Sequence, residues 1–152
     1  MSFLRPIAFL LSILCFSCEA NKHQMTKQIV ATKEAPAAIG PYSQAVMVNG
    51  TLYCSGQIAI VPSTGALNTA NIEAETHQVM ANIGGVLRTA GLDYSHVVKA
   101  TIFMTDMGQY APINEVYGSY FSSNPPAREA VQVSRLPKDV HVEISVIAVA
   151  SE

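Results

Sequence analysis

Two side chains near the C-terminal end of the chain are the first that could do chemistry together. Arg128 follows Pro125-Pro126-Ala127, and Glu143 lies within a run of alternating apolar residues. Both stretches read as strands, over 128–134 and 140–149, joined by a turn at Leu136-Pro137-Lys138-Asp139. Side chains of a strand alternate between its faces. By that rule Val131 and Val133 point one way, and Arg128, Ala130, Gln132 and Ser134 the other. Val140, Val142, Ile144, Val146 and Ala148 make an unbroken apolar face, with His141, Glu143 and Ser145 opposite. The expectation is a strand pair that buries its aliphatic face. Its water-facing side would carry one permanent cation and one carboxylate among small residues, which makes a small-anion site. Each residue also has a plainer reading: Arg128 as an ion pair or solvated strand end, and Glu143 as a polar residue on a solvent-facing strand.

Other chemistries find little support. Cys15 and Cys18 fall in the N-terminal stretch, so Cys54 alone remains for the folded part and cannot form an internal disulfide. In a strand it reads as a small buried residue rather than a nucleophile. There is no HxxxH, CxxC or carboxylate cluster, so no metal site is indicated. His23, His77, His96 and His141 are scattered and read as surface or edge residues. The net charge of −2, without any Lys/Arg run, gives no nucleic-acid footprint. A chain of 152 residues, 49% hydrophobic and 13% charged, suits one well-buried domain and argues against disorder. The low charge also points to surface buried against other subunits.

Residues 1–20 differ in kind. Arg5 is the only charge before the apolar run from Pro6 to Phe16, which is too short to span a bilayer. A cation, a short apolar core and then small residues is the layout of an export signal. Cleavage after Ala20 would follow the small-x-small pattern Cys18-Glu19-Ala20 and release a secreted, periplasmic protein. Alternatively, Ser17-Cys18 with Leu14 upstream resembles a bacterial lipoprotein box, with Cys18 lipidated and 21–26 as a short polar tether. If Met25 is the true start, the protein is cytoplasmic. Residues 27–152 form the single folded domain in each case.

The elements that must position Arg128 and Glu143 follow in order. A short strand over 28–31 leads into a loop over 32–41, where Pro36, Gly40 and Pro41 bar regular structure. Strands over 43–48 and 51–55 flank Asn49-Gly50, a strong hairpin signal because both residues tolerate positive φ. Asn71 caps a helix running to Ala90, with Glu73 and Glu75 near its positive end and Gly91 as its stop. Gly84-Gly85 inside that helix costs about 1 kcal/mol each relative to Ala, which implies close packing on a sheet. A strand over 97–104 precedes a second helix over 106–123, with Tyr110, Ile113, Tyr117, Tyr120 and Phe121 on its buried side. The fold class is α+β: a mixed sheet with two helices on one face. The other face needs a partner, and another subunit is the simplest one.

Several separated motifs occur together in this chain. They are Ala35-Pro36-Ala37-Ala38-Ile39-Gly40-Pro41-Tyr42-Ser43-Gln44-Ala45, Ser55-Gly56-Gln57, Pro126-Ala127-Arg128, and Leu136-Pro137-Lys138-Asp139 leading to Glu143. Together, from about Lys27 to Val149, they resemble the RidA (YjgF) family. The resemblance implies a chorismate-mutase-like protomer assembled as a homotrimer with clefts between subunits. It also implies hydrolysis of 2-imino acids, such as 2-iminobutanoate and 2-iminopropanoate, to 2-oxo acids and ammonia, without a cofactor. Arg128 then corresponds to the substrate-carboxylate ligand, for which a planar, permanently charged fork is suited. Glu143 corresponds to the carboxylate that positions or activates water.

Tyr42 matches the cleft-lining tyrosine, Ser55 and Gly56 the segment framing the pocket, and Asn114 an asparagine near the cleft. Without the match these would be loop packing, turn chemistry and a helix-surface amide. Ala130 stands where some members carry cysteine, so a thiol nucleophile is excluded there and only a backbone N–H role remains. Two other classes stay open: a small-carboxylate-binding or protein-protective trimer without turnover, and an endoribonuclease or translation inhibitor. The acidic balance opposes the last, since phosphate neutralisation dominates such binding.

Overall fold

The hairpin at Asn49-Gly50 sets the sheet from one end. In a computed structural model, which describes residues 26–151, both turn residues take positive φ, 48° and 75°. The strands they join are β2 (Ala45–Val48) and β3 (Thr51–Gln57), with β1 (Lys27–Val30) antiparallel to β2 on the outer side. Helix α1 (Ile72–Thr89) follows, with the Asn71 side chain accepting from Ala74 N at 2.7 Å and Gly91 ending it at φ 74°. Then come β4 (Val97–Met104), α2 (Tyr110–Gly118), β5 (Ala127–Gln132) and β6 (Val142–Val149). The expected export segment, its Cys18 and the tether up to Met25, with His23, lie outside the described residues.

The six strands form one mixed sheet in the order β1-β2-β3-β6-β4-β5. Every pairing is antiparallel except β4 with β5, which run parallel because α2 carries the chain back between them. Val142, Ile144, Val146 and Ala148 of β6 are buried beneath the helices, as alternation predicted. They pack with Leu52, Val79, Met80, Ile83, Leu87, Ile102 and Ile113 into one core. Both helices lie on that face. The other carries exposed Ile29, Tyr53, Val131 and Val149.

Three expectations need correction. The strands bearing Arg128 and Glu143 are not paired, because β4 lies between β5 and β6. Arg128 is in register with Ala100, which pairs with Val146, and both are buried on the helix-covered face. Val131 pairs with Phe103, which pairs with Glu143, so these share the open face. Alternation alone puts the valine on the core side. On an edge strand whose open face is covered by no helix among the described residues, it is 44% exposed instead.

Helix α2 is shorter than expected. The Asp106 side chain accepts from Gly108 N at 2.8 Å and caps a 3-10 turn (Met107–Gln109) ahead of it. Pro112 has no N–H to give and can sit only in a first turn, so the α-helix starts at Tyr110. Tyr110 is therefore not on the buried side; it is exposed at the helix start.

Gly84 and Gly85 are tightly packed, but not on the sheet. A Cβ at Gly85 would come within 2.6 Å of the Glu34 carbonyl oxygen, and one at Gly84 within 2.7 Å of the Tyr94 hydroxyl. The helix thus clamps the loop that follows β1. Gly85→Ala should lower stability by about 1–3 kcal/mol in urea denaturation, because the backbone overlap outweighs the gain in helix propensity. An unchanged or raised midpoint would show that the loop yields freely.

Candidate functional site

The site is built in two parts on opposite sides of the sheet. The first is a cavity of about 250 Å³ at the end of β3, lined by Pro36, Ile39, Tyr42, Ser55, Gly56, Ile58, Pro137 and Glu143 among others. A bulge makes it. Between the pairs Cys54–Val146 and Gln57–Ile144, β3 spends one residue more than β6, which turns Gln57 inward and leaves Gly56 against Glu143. Any side chain at Gly56 would overlap the Glu143 carboxylate. Glycine there lets the carboxylate lie this close, and a side chain would have to push Glu143 aside; no unusual backbone angle is involved.

Glu143 has no hydrogen-bond partner among the described residues, and burial pushes its pKa above the ordinary carboxylate range. A carboxylate that is partly desolvated and unpaired is a better proton acceptor than a solvated one. Around it, the Ser55 hydroxyl donates to Ser43 O at 2.7 Å, so its proton is committed to the backbone. Tyr42 is 47% exposed, and its hydroxyl accepts from Ile39 N at 3.2 Å. Pro137 reaches the cavity from a loop in which Lys138 and Asp139 both hold left-handed φ, 58° and 57°. The Arg135–Asp139 ion pair, at 2.6 Å, and buried Leu136 accompany that strained turn.

The second part gathers around Arg128. Its Nη1 donates to Asn114 Oδ1 and its Nη2 to the Tyr110 hydroxyl at 2.8 Å. The ring of Tyr117 lies 5.2 Å from the guanidinium carbon, a cation–π distance. Burial pushes the Tyr117 phenol up to about 12 despite the nearby arginine, and its hydroxyl is buried without a partner among the described residues. Ala130 is half-buried on the same face, in register with Ile102. Of the expected site residues, Tyr42, Ser55, Gly56 and Glu143 are brought together. Arg128, Asn114 and Ala130 form a separate group.

Sequence reasoning missed three supports. Gln44 is buried and reaches four backbone groups of the loop after β1: its Oε1 accepts from Thr32 N, and its two Nε2 hydrogens are shared among Thr32 O, Ala35 O and Pro36 O. Asn82, fully buried, donates to Ile58 O and Ile60 O at 3.0 and 2.9 Å and so holds the cavity wall to α1. His141, read as a surface residue, is mostly exposed, yet its Nδ1 lies 2.9 Å from the carboxylate of buried Glu75. That carboxylate also accepts from the backbone N–H of His141 and Val142, which anchors the start of β6 next to Glu143. A polar residue inside an apolar helix stripe, as at Asn82, was the one available sequence signal. Cys54 is buried, and burial pushes its thiol up to about 12, which makes it inert as expected.

The family model described as endoribonuclease L-PSP matches residues 32–150. This chain belongs to that family, the RidA (YjgF) family. The 2-iminobutanoate/2-iminopropanoate deaminase of Bos taurus is 47% identical over 82% of this chain and 91% of its own. Among solved structures, E. coli TdcF with bound serine is similar at TM-score 0.79 and 41% identity, covering 82% of this chain and 99% of that one. The Rid-family protein YyfA from Yersinia pestis aligns at TM-score 0.80 and 49% identity, over 82% and 100% of the two chains. The α+β class and mixed sheet expected from sequence are those of the fold shared by these RidA-family structures.

Gln44→Ala would strip the loop of its internal partner and leave buried polar groups unpaired. The expected cost is about 1–3 kcal/mol in chemical denaturation. Faster amide exchange should be confined to the loop after β1. Exchange that rises equally over the whole sheet would contradict a local role.

Proposed function

We propose that this protein hydrolyses 2-imino acids, such as 2-iminobutanoate and 2-iminopropanoate, to 2-oxo acids and ammonia. The observation that carries the reading is the Glu143 carboxylate, unpaired, raised in pKa and laid against Gly56 in a mainly apolar cavity. Hydrolysis of an imine needs a water directed at the C=N carbon. Glu143 takes a proton from that water as its oxygen bonds to the carbon and the C=N electron pair moves onto nitrogen. The resulting carbinolamine then collapses: its nitrogen takes the proton back from Glu143, the C–N bond breaks as the C–O bond becomes the carbonyl of the oxo acid, and the hydroxyl proton goes to the departing ammonia as ammonium. The iminium carbon is already electrophilic, so orienting the water and substrate supplies much of the acceleration. Arg128 binds the substrate carboxylate through its planar fork.

These two residues act on one substrate only if they come from different copies, because they occupy opposite faces of one sheet. That geometry supports a homotrimer in which Arg128, Asn114 and Ala130 of one subunit meet Tyr42, Ser55, Gly56 and Glu143 of the next. The open apolar sheet face, with Tyr53 and Val131 exposed, supports the same assembly. A second reading, a trimer that binds small carboxylates without turnover, is favoured by the serine held in the TdcF structure. The layout of residues 1–20 supports export, with or without a lipid on Cys18. A diacylglyceryl adduct in the intact mass of a membrane fraction would establish the anchored form.

The deciding assay generates 2-imino acid with a dehydratase or amino-acid oxidase, lets semicarbazide compete for it, and follows oxo-acid release. Wild type should accelerate release, Arg128→Ala should abolish it, and Glu143→Gln should slow it at least about tenfold. A wild type no faster than buffer on several imino acids would leave only the binding reading.

The pH profile adds a check on Glu143. The base form is lost as pH falls through a pKa that lies above the ordinary glutamate value. The acid limb of kcat/KM should therefore sit higher than for a solvated glutamate, and Glu143→Gln should remove it. By linkage, a raised folded-state pKa means that ionising Glu143 costs stability as pH rises through that window. Glu143→Gln should thus be more stable than wild type at neutral pH and not at acid pH.

A further inference from the structure

Two of the three arginines among the described residues are committed to ion pairs, Arg88 with Glu34 at 2.7 Å and Arg135 with Asp139 at 2.6 Å. Arg128 makes none. Its direction is nevertheless fixed from several sides, by the Asn114 amide oxygen, the Tyr110 hydroxyl and the Tyr117 ring. All of these groups are neutral. A carboxylate would orient the guanidinium equally well, but it would cancel the charge and have to be displaced by any incoming anion. An amide and a phenol restrain position and leave the charge available. They also leave donors free, since a guanidinium carries five N–H groups.

Tyr110 is the less expected member of this seat. It is the first residue of α2, placed there by the 3-10 turn that Asp106 caps. It is 39% exposed, so core packing does not account for its position. Its ring centroid is 5.7 Å from the Arg128 guanidinium carbon, and its hydroxyl accepts from Nη2. We infer that Tyr110 is a positioning residue. Its hydroxyl, with the Asn114 amide, sets the plane of the Arg128 guanidinium while leaving its charge for the substrate carboxylate. The inference rests on the imine-hydrolysis reading, in which Arg128 binds that carboxylate.

The test uses the full chain, with 2-iminobutanoate generated in the assay and 2-oxobutanoate as a stable carboxylate for calorimetry. Tyr110→Phe keeps the ring and removes one hydroxyl. KM for the imine and Kd for 2-oxobutanoate should both rise about five- to tenfold, the order of one ordinary net hydrogen bond. In contrast, kcat should stay within about twofold, and Tm should be unchanged. Asn114→Asp sets a carboxylate on the same guanidinium and should weaken both constants further, because the new anion competes with the ligand.

Wild-type turnover with unchanged KM and Kd in Tyr110→Phe overturns the role of Tyr110 while the deaminase reading stands. A fall in kcat and Tm at constant KM shows a merely structural residue and overturns it as well. Asn114→Asp that binds 2-oxobutanoate as tightly as wild type refutes the neutral seat. A wild type that neither turns over imine nor binds the oxo acid removes the deaminase reading, and this inference with it.

Discussion

A residue on a β-strand shows its side chain to one face of the sheet only, and nearly everything about this protein's site follows from that constraint. Arg128 shares a register row with buried Ala100 and Val146, beneath the helices. Glu143 shares one with Phe103 and Val131, on the side that no helix of the described residues covers. Rotating either side chain cannot bring the two into one pocket, because the sheet itself lies between them. The chain therefore carries its two groups of polar residues on separate faces. Chemistry that needs both charges on one substrate would have to draw them from two copies of the chain.

The two halves handle charge differently. At Glu143, the carboxylate is partly desolvated, has no hydrogen bond among the described residues and is pressed against a residue without a side chain. Its ionisation costs folding free energy in exchange for basicity. At Arg128, the chain supplies partners but only uncharged ones, which costs little because a guanidinium stays protonated in any such setting. A carboxylate tunes readily by burial, and a guanidinium does not. Position is the one property of Arg128 that the fold can adjust.

Buried amides do the structural work behind both halves. Gln44 ties the loop after β1 to the sheet, and Asn82 ties the loop after β3 to α1. An amide carries both donors and an acceptor, so one side chain can satisfy several backbone groups in a loop that has no ladder of its own. Glu75 does the same for the start of β6, with His141 as a half-exposed partner. Cavity walls that would otherwise be mobile loops are thereby fixed to regular elements.

Sequence alone carried the strands, the two helices, the Asn49-Gly50 turn and the Asn71 cap, because these depend on neighbours a few residues apart. It also pointed to Tyr42, Ser55, Gly56 and Glu143 and to Arg128, Asn114 and Ala130, since the motifs that hold them are local. It could not say that β4 separates β5 from β6, because strand order depends on contacts far apart in the chain. Nor could it tell which face of β5 is covered: Val131 looks like a core residue until α2 is seen to lie on the other side. The same limit hid Tyr110, whose role depends on where the 3-10 turn starts α2 relative to Arg128. Residue identity and local spacing determined what chemistry this protein can do. Tertiary structure decided which residues meet, because that depends on sheet order and covered faces, which no single stretch of sequence contains.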